Sequence, residues 1–528
     1  MAERRVTLRK NVLFEPLFNR WYAWSHLVSP ATAALNVLHH VKTMRSYLAH
    51  PAVHAAAARD PAMLGAPFLD CDASRAHRIE ALLRETLGRA PHLVELGESI
   101  RKLDELLSKE ASGMSLEPLY AKVPEPLRGF VELGYDYANR ASFRLIEPLL
   151  YRSAFYDRGC QSVALSAGDP DSRPFVLSTP RVDDDGWLHA NIPFDAPAID
   201  VIGRARSELV SDDDLREALG IDGSREALYR SLVSEEHPIG HGARYEGAGV
   251  RVRYFGHACV LIETSAVSIM TDPSVSYAKD GGKERFSFAD LPPRIDVVLL
   301  THAHTDHVQL EILLQLRRRI GTIVVPAAHG SIVDPSLKLM LEQLGFENVV
   351  ALDELETLEI DGASVTAAPF FGEHADLDVR SKAAYAVRVG ERLLYFAADS
   401  RNVEPRLYER VRALLGAVDI VFIGMECRGA PGSWLYGPLM LRPLTRKMDH
   451  SRRLNGSDAA QAAAIVASLG SARVFVYAMA QEPWLIHISG LAYTETSVQI
   501  LESNRLVEEC KAQGISAERL FGKHEMLL

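Results

Sequence analysis

The sequence predicts an α/β fold: a C-terminal unit of sheets with helices packed outside them, an αββα layering, preceded by an N-terminal domain of mixed α+β character. Three features point there. Apolar residues recur at helical spacing early in the chain, short β-type runs alternate with helical patterns after about residue 245, and the breaker-rich segment Glu235-Glu-His-Pro-Ile-Gly-His-Gly242 divides the two textures. The expected domains are therefore residues 1–244 and 245–528.

In the first half, Ile79, Leu82, Leu83 and Leu87 describe one amphipathic helix. After Pro91, residues Leu93, Leu96, Ile100, Leu103 and Leu107 describe a second, with charges on the opposite face. From Pro174 the pattern changes to Phe175-Val-Leu-Ser178, a turn at Asp183-Asp-Asp-Gly186, and Trp187-Leu-His-Ala-Asn-Ile192, which predicts a hairpin. Past the boundary, residues 251–255, 259–263, 267–270, 297–300, 323–325, 393–396, 420–423 and 474–477 are short strands by composition. Residues 459–469 are helical, with Ser457 as N-cap and Asp458 favourable at the positive end of the helix dipole.

Composition narrows the function. The 528 residues are 47% hydrophobic and 24% charged, ordinary for a globular chain of two or three domains. With 58 Lys+Arg against 69 Asp+Glu the formal charge is -11, which gives no support to a nucleic-acid footprint or an anionic-lipid surface. Five scattered cysteines without a CxxC pair describe neither a disulfide framework nor a cysteine zinc site, and suit a reducing cytoplasm. There is no signal-peptide pattern and no apolar stretch long enough to span a membrane, so a soluble cytoplasmic protein is expected.

The chemistry concentrates at Thr301-His-Ala-His-Thr-Asp-His307, directly after the apolar run 297–300. Three imidazoles and a carboxylate at a strand-to-loop junction can turn toward one point, and that donor set suits Zn, Fe or Mn. Asp399 closes another strand too apolar to leave a carboxylate unpartnered. The pair His39-His40 reads as surface or satisfied histidine. Met425, Arg428, Trp434 and Tyr436 follow the strand at 420–423 and read as packing residues beside the cleft.

His302-x-His304-x-Asp306-His307 resembles the signature of the metallo-β-lactamase fold superfamily. Further matches follow in order over residues 245 to about 525: Gly256-His257, Thr271-Asp272-Pro273, Phe371-Gly-Glu-His374, Tyr395-Phe-Ala-Ala-Asp399, and His487 after Trp484-Leu-Ile. The resemblance implies two metals in the cleft of an αββα sandwich, with Asp399 bridging and His487 as the last ligand. His257 and Asp272 read as groups that orient ligands. At the third-ligand position either Glu373 or His374 can serve, since neighbouring side chains of an extended chain diverge. With Glu373 the set is His302, His304 and Glu373 at one ion, Asp306, His307 and His487 at the other, and Asp399 between. Three carboxylates make a hard site, nearer to di-iron than to zinc preference.

A closer similarity covers both halves. Arg9-Lys-Asn-Val-Leu-Phe-Glu-Pro-Leu-Phe-Asn-Arg-Trp-Tyr-Ala-Trp24, Gly65-Ala-Pro-Phe68, the chain length and the glutamate at position 373 resemble the di-iron aminoacyl β-hydroxylases of chloramphenicol biosynthesis. The resemblance implies a non-haem di-iron monooxygenase with O2 as co-substrate and an external electron donor. It also implies, as substrate, an amino acid held as a thioester on the carrier domain of a nonribosomal peptide synthetase. The N-terminal domain is then expected to serve homodimerisation and carrier recognition, with Glu373 and Asp399 central to catalysis. The alternative on the same fold is a dinuclear zinc hydrolase.

Overall fold

The computed structural model describes residues 4–61, 63–182, 186–236 and 241–528. Residues 183–185 of the turn expected at Asp183-Asp-Asp-Gly186 and the centre of the predicted boundary, residues 237–240, lie outside the described residues.

Two seven-stranded sheets face each other in the C-terminal half. The first runs in the spatial order Val349–Leu352, Ile320–Pro326, Ile295–Leu299, Ser268–Thr271, Cys259–Glu263, Arg251–Gly256 and His524–Leu527. The second runs Thr357–Ile360, Ala363–Ala368, Ala384–Val389, Arg392–Phe396, Ile420–Gly424, Arg473–Tyr477 and Ser516–Arg519. Strand periodicity explains the layering, because alternate side chains point to opposite faces. Val297 and Leu299 enter the core between the sheets, where they meet a cluster that includes Phe396, Phe422 and Tyr477. Val298 and Leu300 point the other way, toward the outer layer. Strands buried on both faces read as continuous apolar runs, which is why these were legible in the sequence.

On the outer face of the second sheet lie the helices Arg406–Leu415, Ala459–Leu469 and Val498–Ala512. The helix forms at Ala459–Leu469 as expected, but its N-cap is Asp458 rather than Ser457: Asp458 accepts from Gln461 N–H in a capping box, while Ser457 Oγ donates to Ser400 O. The outer face of the first sheet is covered by helix Leu310–Leu316, buried at every position, and beyond it by the N-terminal half.

The helices predicted there form at Ala76–Arg89 and Pro91–Glu110. The predicted hairpin does not. Leu188–Ala190 instead pairs antiparallel with Gln161–Ala167, and Val176 N–H donates to His487 O across the two halves. Tertiary contacts outcompete the local pairing that period-2 patterning suggested. The two halves share one hydrophobic cluster, and a buried ionic group joins them: Glu15 accepts from Arg173 and Arg181, and Arg173 also pairs with Glu311 on the covering helix. Among the described residues no helix is long and apolar enough to cross a membrane.

Candidate metal centre

The first sheet's strand Ile295–Leu299 ends at the histidine motif, and the chain then turns. His307 N–H and Val308 N–H both donate to His304 O, which folds the motif back so that its imidazoles share one space. Ser25 Oγ, from the N-terminal half, donates to Ala303 O at 2.7 Å and braces the turn from behind. Asp399 comes from the facing sheet, past Ala398 at φ 48°. Strand Ile420–Gly424 passes so close that any side chain at Gly424 would collide with the Asp399 carboxylate. Glu373 comes from the loop after Ala363–Ala368 and has φ 67°, in the left-handed region that non-glycine residues rarely adopt.

Each imidazole has a defined direction. His307 Nδ1 donates to Asp272 Oδ2 at 2.8 Å, which leaves Nε2 facing Asp399 Oδ2 at 3.0 Å. Asp272 also accepts from Thr301 N–H and Thr301 Oγ1, so its carboxylate is fixed at three points. The Nδ1 of His302 lies 3.0 Å from Thr301 Oγ1, and its Nε2 looks inward, 3.2 Å from His304 Nδ1 and 3.9 Å from Asp399 Oδ2. His304 presents Nδ1 to Glu373 Oε1 at 2.7 Å while Tyr436 Oη sits 2.8 Å from its Nε2.

Three of these contact sets could hold an ion: His302, His304, Glu373 and His374; His257, Asp306 and His307; and His302, His307 and Asp399. His257 Nδ1 accepts from Ala480 N–H, so in the neutral ring Nε2 carries the proton and faces Asp306 Oδ2 at 3.3 Å. That arrangement orients the carboxylate.

Glu373 and His374 do not diverge as an extended chain would require. The left-handed backbone at Glu373 brings both to His304: His374 stacks on its ring at 4.6 Å, and His374 Nδ1 lies 3.0 Å from Glu373 Oε2. Glu373 therefore reaches His304 through Oε1 and His302 through Oε2, which lies 3.5 Å from His302 Nε2, with His374 beside Oε2.

His487 is a correction of position. It is buried, but the charges around it are Arg173, Glu15 and Arg181, its ring lies 6.1 Å edge-on to Tyr22, and it belongs to none of the three ion-holding sets. The expectation rested on chain order, which says nothing about where helix Ile486–Ser489 is carried by the packing of the two halves.

Four residues went unread in the sequence. Glu426 has its carboxyl raised well above the usual range by burial and then by Asp399, Asp306 and Glu373. A glutamate two residues past a strand, without a motif, gives no signal by itself. Tyr436, read as packing, touches His304. Ser25 and His26 reach the motif from the N-terminal half: burial first, then His304 and His374, push His26 down to about 3. Of the other residues near the cleft, Met425 is core, Arg428 is exposed, and Trp434 covers Gly65, where φ 77° and the ring's proximity leave no room for a side chain. His40 stacks on Trp21 at 3.8 Å, as a satisfied histidine.

The donor set fits a pair of cations. Asp306, Glu373, Asp399 and Glu426 face one region, Glu373 and Asp399 buried and the other two half-buried, and Glu373 Oε2 and Asp399 Oδ1 are buried without a hydrogen-bond partner. Burial and the nearby Glu373 charge hold the Asp399 carboxyl above its ordinary value even though His307 opposes them. So many carboxylates clustered away from water are stable only around positive charge, and the oxygen-rich set favours hard ions.

Fold and site together define a metallo-β-lactamase-fold metalloenzyme with a second, N-terminal half packed against it. Residues 7–237 match the diiron non-heme beta-hydroxylase N-terminal domain and residues 268–477 the beta-lactamase superfamily domain. The chain belongs to the diiron non-haem β-hydroxylases: it is 41% identical, over 99% of its length and 100% of the relative's, to 4-amino-L-phenylalanyl-[CmlP-peptidyl-carrier-protein] 3-hydroxylase of Streptomyces venezuelae. The crystal structure of CmlA, a diiron β-hydroxylase from Streptomyces venezuelae, superposes with a TM-score of 0.91 at 40% identity, covering 100% of both chains. A mutant of the CmlA β-hydroxylase gives 0.89 at 40% identity, covering 99% of this chain and 100% of that one. The protein is thus an enzyme whose cofactor is a pair of non-haem irons, and of the two chemistries open to the sequence the oxygenase is the one it performs.

Proposed function

We propose that the enzyme hydroxylates the β-carbon of an amino acid held as a thioester on a peptidyl carrier domain. The full-length similarity to an enzyme named for a carrier-bound aminoacyl substrate carries this reading. The overall change consumes O2, two electrons and two protons. One oxygen atom enters the C–H bond as hydroxyl, the other leaves as water, and an external donor supplies the electrons.

In this reading His302, His304 and Glu373 would hold one iron and Asp306 and His307 the other, with Asp399 and Glu426 as further carboxylates available to the pair. The irons supply the reduction of O2 that attack on an unactivated C–H bond requires. The chain's own residues do the positioning. Asp272 fixes the His307 tautomer through Nδ1, His257 directs Asp306, Tyr436 restrains His304, and His374 packs beside Glu373 Oε2; such partners set both orientation and affinity. A small cleft between the halves is lined in part by Trp21, Trp24, Phe68 and Trp434. The reading divides the chain into an N-terminal domain, residues 1–244, and a catalytic domain, residues 245–528. It includes a homodimer built through the N-terminal domain and a cytoplasmic location.

The test is mass spectrometry of carrier domains loaded with a panel of amino acids, incubated with iron-loaded enzyme, reductant and O2. A gain of one oxygen atom on the carrier-bound amino acid, with the free amino acid turned over far more slowly, is expected. Equal turnover of the free amino acid would overturn the carrier assignment, and a carrier panel that stays unmodified while the enzyme holds two irons would overturn the substrate class.

A further inference from the structure

Residues 425–456 leave the second sheet and return to it as one excursion. Its base is at the metal centre: Gly456 N–H donates to Glu426 O, Leu454 N–H to Ala430 O, and Arg453 forms a bridge with Pro431. Its far part, helices Ser433–Tyr436 and Arg446–Ser451 with the loop between, leans on the N-terminal half, where Arg101 donates to Pro438 O and Arg442 to Ser108 Oγ.

The charge of this excursion contrasts with that of the chain. It carries Arg428, Arg442, Arg446, Lys447, Arg452 and Arg453 against only Glu426 and Asp449, in a protein of net charge -11. Three of the cations have internal duties. Arg452 Nε donates to Ala375 O, Arg453 Nε to Gly429 O, and Arg442 pairs with Asp104. Arg446 and Lys447 have none: both are exposed at the start of the second helix, beside Met448, which is 46% exposed. Asp449, the acid on this helix, accepts from Ser433 N–H and Ser433 Oγ; it offsets one of the two cations, and the helix keeps a net positive charge.

Distance links the pair to the chemistry. Arg452, just past the end of that helix, is tied to Ala375, two residues after Glu373. A helix of six residues is ~9 Å long, so Arg446 and Lys447 stand roughly one helix length from a residue that abuts the metal-facing loop.

We infer that the Arg446–Lys447 face of this excursion is the docking surface for the carrier domain, and that it meets an acidic face of the carrier around the phosphodiester of its prosthetic arm. The inference rests on the carrier-bound reading above. Its physical ground is charge complementarity: the phosphodiester joining a pantetheine arm to its serine carries a permanent negative charge. A local basic patch on an acidic protein attracts such a partner while the rest of the surface repels it. The exposed Met448 supplies an apolar contact inside the charged rim.

The test compares full-length, iron-loaded wild type with R446E/K447E, using an aminoacyl carrier domain as the probe and titrating binding from low to physiological salt. The wild type is expected to bind with an affinity that falls steeply with salt. The double variant is expected to bind at least tenfold more weakly, with a flatter salt dependence and unchanged iron content. Affinity and salt dependence within twofold of wild type would overturn the surface while leaving the carrier reading standing. A wild type that binds no carrier would sink that reading and the surface with it. Loss of dimerisation in the variant at unchanged carrier affinity would assign the patch to a second copy instead, as would duplex DNA bound through the same residues assign it to nucleic acid; either result overturns the inference.

Discussion

Replacing Glu373 by Gln tests the site at its most informative position. The carboxylate lies 2.7 Å from His304 Nδ1 and 3.5 Å from His302 Nε2, so a cation among these atoms lies within about 4 Å of its charge. At that separation and an effective dielectric of about 20, one unit charge contributes about 4 kcal/mol per unit of positive charge, or about three orders of magnitude in affinity. The amide keeps a neutral oxygen donor of the same shape, so the loss isolates the charge. His374 Nδ1 lies 3.0 Å from Glu373 Oε2 and 3.2 Å from Gly372 O, which places it as a support of the carboxylate, and removal of such a supporting group costs about 10- to 100-fold. The expected outcome is that E373Q retains about one iron per chain under chelator competition, while H374A retains both with modestly weakened binding. Elemental analysis across a chelator series reads this. Metal-free E373Q should melt no lower than metal-free wild type, because it removes one of several clustered negative charges. If E373Q keeps both irons at wild-type affinity and H374A empties the site, the histidine is the ligand and the geometric reasoning fails.

Three further outcomes follow from the same contacts. Asp272→Asn puts an amide where Asp272 accepts from Thr301 N–H, Thr301 Oγ1 and His307 Nδ1; it should weaken iron binding by about 10- to 100-fold with little change in fold, and unchanged affinity by the same chelator series would refute it. Glu15→Gln leaves Arg173 and Arg181 buried with one anion fewer and should cost about 3–5 kcal/mol in urea unfolding; a loss under 1 kcal/mol would show that the ionic group does not join the halves. Because Glu15 is held far below its ordinary value by the two guanidiniums despite burial, its contribution should be present above about pH 4.5 and fade as pH falls below that. Glu147 is the opposite case: burial raises its carboxyl to about 7, so the folded state binds the extra proton between about 4.5 and 7 and loses stability as pH rises through that window. Glu147→Gln should therefore stabilise the protein at pH 8 by about 3 kcal/mol and flatten the profile; an unaltered pH dependence of unfolding would refute this.

Much of the catalytic half was legible because its strands are buried on both faces and its histidine motif is local. Residues 297–300 form a short run of β-branched and aliphatic residues that suits a strand buried on both faces, and a motif packed into six positions needs no distant chain to bring its imidazoles together. Position 373 was narrowed to two neighbours by the sequence, and the extended-chain argument then failed because the backbone there is left-handed. The predicted hairpin failed for a related reason, since Leu188–Ala190 pairs with Gln161–Ala167, a strand beyond the reach of local pattern.

What the sequence determined by itself was the donor chemistry, the layered class of the fold and the family resemblance, since these reside in residue types, short spacings and periodicity. The tertiary structure alone decided which donors meet. It carried His487 to the ionic group at Glu15, drew Glu426 into the field of Asp306, Glu373 and Asp399, and brought Ser25, His26 and Tyr436 to the motif from segments more than a hundred residues distant. Those contacts come from burying helix Leu310–Leu316 and the face of a sheet between two halves. The driving force for that burial depends on the area removed from water and is non-directional, so no local stretch of sequence specifies which polar groups it sets side by side.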